Sequence, residues 1–306
     1  MPFDLPRFYQ KLDESYAAMD RAATEAFLLS SREKARMDGE PEILRDGCPA
    51  CAPSVSPNAA LIAVCNELAC FYRGISRWEE SLEAFTQAQQ ELEMYYQVDT
   101  VQYATILLNK AGTYRYMGHA GEALDLFQQA EIIMKHQMGV SPDVLAGLYN
   151  NTGLALLDLG QPQEALERFQ LALSLIENND AAIVEQGSTW NNLAAAYRGL
   201  GQLTQALEAM DKSVAILEKM DCGRNPHYPA ALNTRGIFHY HQGAYEEALA
   251  DFTAALEITA LVFGENIEYS YGCENCYAVC SKLSRPEEAQ AWLDKARAIR
   301  ERLGKA

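Results

Sequence analysis

A pattern that returns every 41 or 42 residues constrains this chain more than any other feature of its sequence. One column holds Ser81, Ala123, Ala165, Ala206, Ala248 and Ala289, spaced 42, 42, 41, 42 and 41 residues apart. A second column holds Ser76, Gly118, Gly160, Gly201, Gly243 and Ser284, and a third Phe85, Phe127, Phe169, Met210, Phe252 and Leu293. Three columns advancing together over six copies identify tandem structural repeats, and such a period points to a stacked array.

One copy shows what each unit must be. Trp190, Leu193, Ala194 and Tyr197 fall at i, i+3, i+4 and i+7, so they share one face of a first helix. Gly201 stands where that helix must stop, because glycine enters the left-handed conformation of a helix end at little cost. Ala206, Met210 and Ser213, the last replaced by Ala in neighbouring copies, place small residues where a second helix must approach the first. One helix pair cannot bury both of its faces, so the copies must stack.

Trp190-x-x-Leu193-Ala194-x-x-Tyr197 followed by Ala206-x-x-x-Met210 resembles the tetratricopeptide repeat, with Ala for Gly and Met for Phe. The period of about 42 exceeds the usual 34 and is similar to the kinesin-light-chain-like branch, whose paired helices are longer. The resemblance covers roughly residues 58–303. It implies an all-α fold: a right-handed superhelical solenoid of about six helix pairs, plus a degenerate N-terminal helix pair. The expected organisation is the N-terminal pair at 1–38, an inserted loop at 39–57, and six repeats in a single solenoid domain at 58–306. In the N-terminal pair, Leu12 and Tyr16 are assigned to a first helix, and Ala26-Phe27 echo the Ala-Leu step. Four prolines and two glycines mark the loop. Pro286 and a polar last helix suit a terminal cap.

In this family the first helix of each pair lines the inner, concave surface. The inner positions here carry Asn66, Asn150, Asn191 and Asn233 in one column and Asn109, Asn151, Asn192 and Asn275 in the next. Asn costs several tenths of a kcal/mol against Ala in a helix interior, so eight of them at corresponding sites require a reason. An amide carries a donor and an acceptor and can pair with the backbone of an extended peptide. The resemblance implies such an asparagine ladder, interrupted by Glu67, Leu108, Thr234 and Glu274. Arg73, Arg115 and Arg198 share a further inner column and would meet carboxylates. The competing reading is that these Asn tie neighbouring helices together. The two-carboxylate clamp of chaperone-binding relatives is not matched by Ala63, Asn66, Cys70, Thr105 and Asn109.

Cysteine and histidine give little foothold for metal or redox chemistry. Cys273, Cys276 and Cys280 occupy the Trp190, Leu193 and Tyr197 columns, and Cys65 the Trp190 column, where a free Cys packs as a small hydrophobe. Cys48 and Cys51 in the inserted loop are the residues a metal or redox reading would need. His239 and His241 lack a third ligand. No phosphate loop, Ser elbow or dinucleotide fingerprint is present, so no catalytic residue, cofactor or metal is expected.

The formal charge of −17 repels phosphate backbones and argues against nucleic acid. No apolar run approaches the roughly 20 residues of a membrane span. The N-terminus lacks the pattern of a secretory signal, which makes a cytoplasmic location the expectation. The function expected is a non-catalytic interaction scaffold that binds a peptide or protein tail in its groove. The alternatives are a regulatory peptide sensor acting through a protein partner and a Cys-loop metal or redox protein.

Overall fold

Local chemistry starts and stops each helix. In the computed structural model, which describes residues 3–18, 20–38, 56–219 and 227–302, the side chains of Asp4, Asn58, Thr100 and Asn266 accept the hydrogen bond of a backbone N–H three residues on. Pro142, Pro162 and Pro286 open three other helices, where a missing N–H costs nothing.

Among the described residues the chain forms fourteen α-helices. The first two are α1 (Leu5–Ala17) and α2 (Arg21–Asp38). The repeats then supply α3 (Ala59–Gly74), α4 (Trp78–Met94), α5 (Val101–Tyr116), α6 (Ala120–His136), α7 (Pro142–Asp158) and α8 (Pro162–Ile176). They continue with α9 (Ile183–Gly199), α10 (Leu203–Glu218), α11 (His227–Gln242), α12 (Tyr245–Phe263), α13 (Ile267–Lys282) and α14 (Pro286–Arg302).

The turn inside each of the six repeats is the same. Gly118, Gly160, Gly201 and Gly243 all have φ between +72° and +83°. Ser76 and Ser284 adopt the same left-handed conformation, at φ +62° and +58°, despite a Cβ that costs roughly 1–2 kcal/mol. The N–H of the next residue then returns to a carbonyl five residues back, from Arg77 to Tyr72 through Arg285 to Cys280, at 2.8–2.9 Å in every copy. This bond satisfies carbonyls the helix end would otherwise orphan.

The small-residue columns are where the helices of a pair meet. Ala123, Ala165, Ala206 and Ala248 are fully buried, as are the rings of Phe85, Phe127 and Phe169. Where serine replaces alanine its hydroxyl is satisfied: Ser81 Oγ donates to Ala69 O at 2.8 Å and Ser213 Oγ to Gly187 O at 2.7 Å. Leu293, in the last copy, is only half-buried, as suits a terminal helix.

The N-terminal pair departs from the alignment drawn from sequence. Tyr16 and Ala26 are exposed, and the inward face of α2 is instead Thr24, Leu28, Ser31 and Ala35. Thr24 plays the part that Ser81 plays later, bonding Ser15 Oγ at 2.6 Å across to α1. The Ala26-Phe27 echo of the Ala-Leu step therefore lies two residues off the true register, in which Thr24 matches Ser81. Polar Thr and Ser at the packing positions hide the motif.

The helices group into two compact units, Met1–Ser141 and Pro142–Ala306, where sequence alone suggests one stack from 58 to 306. In the first unit one apolar cluster runs from Phe8 and Leu12 through Leu28, Leu68 and Phe85 to Leu92 and Ile106. In the second, the largest cluster joins Phe252 and Leu256 to Tyr269, Cys273, Cys276, Cys280 and Ile299. No described helix is long and apolar enough to cross a membrane.

Candidate functional site

The inner positions named from sequence are carried by first helices, α3 and α5 in one unit and α7, α9, α11 and α13 in the other. Each Asn among them is half-buried, set between the core stripe and the open face. They divide into two groups by what they touch.

One group holds adjacent helices together. Asn109 Nδ2 donates to Asn66 Oδ1 at 2.9 Å, joining α5 to α3. The equivalent bond in the second unit runs from Asn192 Nδ2 to Asn150 Oδ1 at 3.2 Å, while Asn150 Nδ2 donates to Thr189 Oγ1 at 2.8 Å. Asn151 returns to its own helix through Gly147 O. Arg73 spans the same junction as Asn66, donating from Nη1 to Asn109 O at 2.8 Å, and a Cβ on Gly112 would lie 2.9 Å from that nitrogen. Arg115 stacks on the Tyr116 ring.

The other group is uncommitted. Oδ1 of Asn191 and of Asn233 is buried and accepts no hydrogen bond. With the oxygen turned in, the amide N–H₂ is the polar end left toward the open face. No hydrogen bond among the described residues engages the side chain of Asn275. Arg198 is exposed, as is Tyr271. Beside the amides runs a half-buried row of Leu154, Ala195, Ile237 and Ala278, one residue from each first helix of the unit. A partner at the matching site of the next repeat does not by itself engage an amide: Asn275 stands there for Asn233, as Asn109 does for Asn66, yet Asn233 Oδ1 accepts nothing. Thr234 faces the neighbourhood of Asn191 in place of a second Asn and bonds Ala230 O instead.

Glu67 breaks the ladder in the first repeat. Burial pushes its carboxyl above the ordinary carboxylate range; a hydrogen bond from Asn66 opposes this and Asp13 adds to it. Burial, with Glu67 adding, raises the Tyr16 hydroxyl to about 12.

The column headed by Leu193 holds features that sequence reasoning passed over. Its other members include Lys110 and Arg235, cations at a core-packing position. Lys110 Nζ donates to Gln89 Oε1 at 2.9 Å and Thr86 Oγ1 at 3.3 Å, and burial pushes its ammonium below the usual lysine range. Arg235 on α11 grips Asp251 on α12 with two bonds, Nη2 to Oδ1 at 2.6 Å and Nε to Oδ2 at 3.0 Å, and reaches Asp211 on α10 at 3.1 Å. Asp251, at the position where the preceding repeat has Ala209, is only 6% exposed. Reading down each column for charge would have found this pair.

Cys65, Cys273, Cys276 and Cys280 are fully buried in the core, and burial raises all four thiols, Cys65 to about 12 and Cys273 and Cys280 to about 11. His239 lies 3.7 Å from Asp251, against the second helix, and His241 is exposed. Among the described residues no three His, Cys, Asp or Glu converge on a possible metal position. Cys48 and Cys51 lie outside the described residues, as does all but the end of the 39–57 loop.

Profiles of the tetratricopeptide repeat match residues 144–219 and 229–259. Residues 144–219 and 229–259 are tetratricopeptide repeats. The chain's tetratricopeptide pairs are of the long, kinesin-light-chain-like type, as solved structures show at the level of fold. BtubC (BKLC) from P. vanneervenii superposes with a TM-score of 0.64 at 19% identity, covering 75% of this chain and 93% of its own. A putative kinesin light chain from Podosopora anserina, built of nearly identical TPR-like repeats, gives 0.55 at 22%, covering 68% and 99%. A tetratricopeptide repeat protein from Parabacteroides merdae gives 0.56 at 16%, covering 96% and 93%. No curated protein matches the chain. The tetratricopeptide repeats support a protein-interaction scaffold.

Proposed function

We propose that this protein is a non-catalytic scaffold that holds an extended peptide across the face formed by α7, α9, α11 and α13. The observation that carries this reading is the pair Asn191 and Asn233, 42 residues apart at equivalent positions, whose buried Oδ1 atoms accept nothing. An unmatched amide in a helix interior costs on the order of 1 kcal/mol, so each needs a compensating use. Two N–H₂ groups on consecutive helices, on the order of 10 Å apart, match carbonyls about three residues apart on an extended chain. The row of Leu154, Ala195, Ile237 and Ala278 offers alternating large and small apolar contacts beside them. Arg198 stands exposed for a carboxylate.

The test is affinity selection of a random peptide library on the full chain, followed by anisotropy titration of the selected peptides against an Asn191→Ala/Asn233→Ala variant. Two lost hydrogen bonds should weaken binding by about 2 kcal/mol, roughly thirtyfold. The variant itself should be slightly more stable, since Ala is the better helix former. Equal affinity for both proteins would return all the asparagines to a structural role. Asn192→Ala, by contrast, should lower the melting temperature because it unties α9 from α7.

A further inference from the structure

The N-terminal helix pair carries a cleft of about 900 Å³ that the peptide face does not use. Its floor is aromatic. Phe8 and Phe27 stack with centroids 5.7 Å apart, and Phe3 meets Phe8 at 5.8 Å. Its rim is cationic: Arg7, Lys11 and Lys34 are all exposed, and Lys34 Nζ lies 5.7 Å from the Phe3 ring centroid. Three cations clustered in a chain of formal charge −17 run against its overall balance. None of the three side chains has an ion pair or hydrogen bond among the described residues. The one carboxylate in the lining, Asp4, is occupied in capping α1 by accepting from Arg7 N at 3.0 Å.

Ser31 makes this a built site. It lines the cleft, is only 8% exposed, and its hydroxyl has no hydrogen-bond partner among the described residues. Every other serine or threonine in the small-residue columns is satisfied by a facing carbonyl or hydroxyl. The Ser31 hydroxyl opens to the cleft and can donate to an acceptor placed there. An apolar floor, convergent polar groups and this volume are the ordinary features of a small-molecule site.

We propose that this cleft binds an amphipathic organic anion, with its apolar body against the half-exposed Phe3 and Phe27 over the buried Phe8, and its carboxylate or phosphate head between Lys11, Lys34 and Ser31. The cations supply charge-assisted hydrogen bonds to the head, and the exposed parts of the Phe3 and Phe27 rings cover the body.

Calorimetric titration of the full chain decides this, with octanoate and octyl phosphate as anions and 1-octanol and octyltrimethylammonium as controls. Saturable binding of one anion per chain is expected, with octanol at least about tenfold weaker and the cation not bound. Which anion binds more tightly identifies the head group. A Lys11→Glu/Lys34→Glu variant should lose at least about tenfold in anion affinity while keeping its helical signal, since both lysines are unpaired. Should that variant fail to fold, Lys11→Gln/Lys34→Gln serves in its place. Ser31→Ala should weaken the anion several-fold and leave octanol unchanged. The Asn191→Ala/Asn233→Ala protein should bind the anion normally, which separates this site from the peptide face. Octanol binding as tightly as octanoate, an unchanged affinity in the lysine variant, or no saturable heat up to about 10 mM would each overturn the proposal.

Discussion

Two glycines six residues apart on α7 sit in opposite surroundings. A Cβ on Gly147 would meet nothing within 4 Å, whereas one on Gly153 would lie 2.7 Å from Cζ of the buried Phe169 ring. Gly147→Ala should therefore stabilise the protein by about 0.5–1 kcal/mol through helix propensity. Gly153→Ala should destabilise it by about 1–2 kcal/mol, because overpacking outweighs the same propensity gain. Urea denaturation of the two variants side by side tests this. The repeat places Gly153 in the Ala194 packing column and Gly147 off that stripe, but the ring that fills the space, Phe169 sixteen positions away, is a matter of tertiary packing. The asparagines show the same limit. That they sit on first helices at inner positions follows from the repeat, but which are engaged does not, since Asn233 accepts nothing although Asn275 stands at the matching site of the next repeat. Asn66 and Asn150 find an Asn there; Asn191 does not.

At the scale of the element, the helix pair is the part most legible from sequence. Its turn depends on a left-handed residue and a returning N–H, both set within six residues, so the Gly201 column predicts it even where serine intervenes. The Arg235–Asp251 pair is an addition to that plan, holding α11 on α12 at positions where another copy has Leu193 and Ala209. Arg235→Leu alone strands a carboxylate 6% exposed and should cost about 3–5 kcal/mol. The double variant Arg235→Leu/Asp251→Ala, which restores the apolar residues of the neighbouring repeat, should recover most of that loss. A double-mutant cycle by urea denaturation measures the coupling, and a double variant no more stable than the single one would show that the pair itself holds the helices. The N-terminal pair was less legible for a related reason: Thr24 and Ser31 occupy packing positions, and a hydrophobic pattern does not register polar residues that are buried.

For the whole molecule, four helix pairs with their own apolar clusters make up the unit Pro142–Ala306. Stability in repeat arrays is approximately a sum of repeat and neighbour terms, and three or more repeats generally suffice for folding. A fragment of residues 142–306 should fold alone, with a helical spectrum and one cooperative urea transition whose m-value is roughly half that of the full chain. A low-helicity or non-cooperative fragment would mean that the first unit is required for folding. The sequence by itself determined the number of pairs, their boundaries, their turns and the face on which polar residues collect. Each of these depends on helical periodicity or on turn chemistry within a few residues. Only the tertiary structure decided the division into two units, the partners of the buried cations and which amides stay free. It also decided the open hydroxyl of Ser31 in a cationic cleft. These depend on which side chains from separate helices arrive at one place, and a one-dimensional pattern does not carry that information.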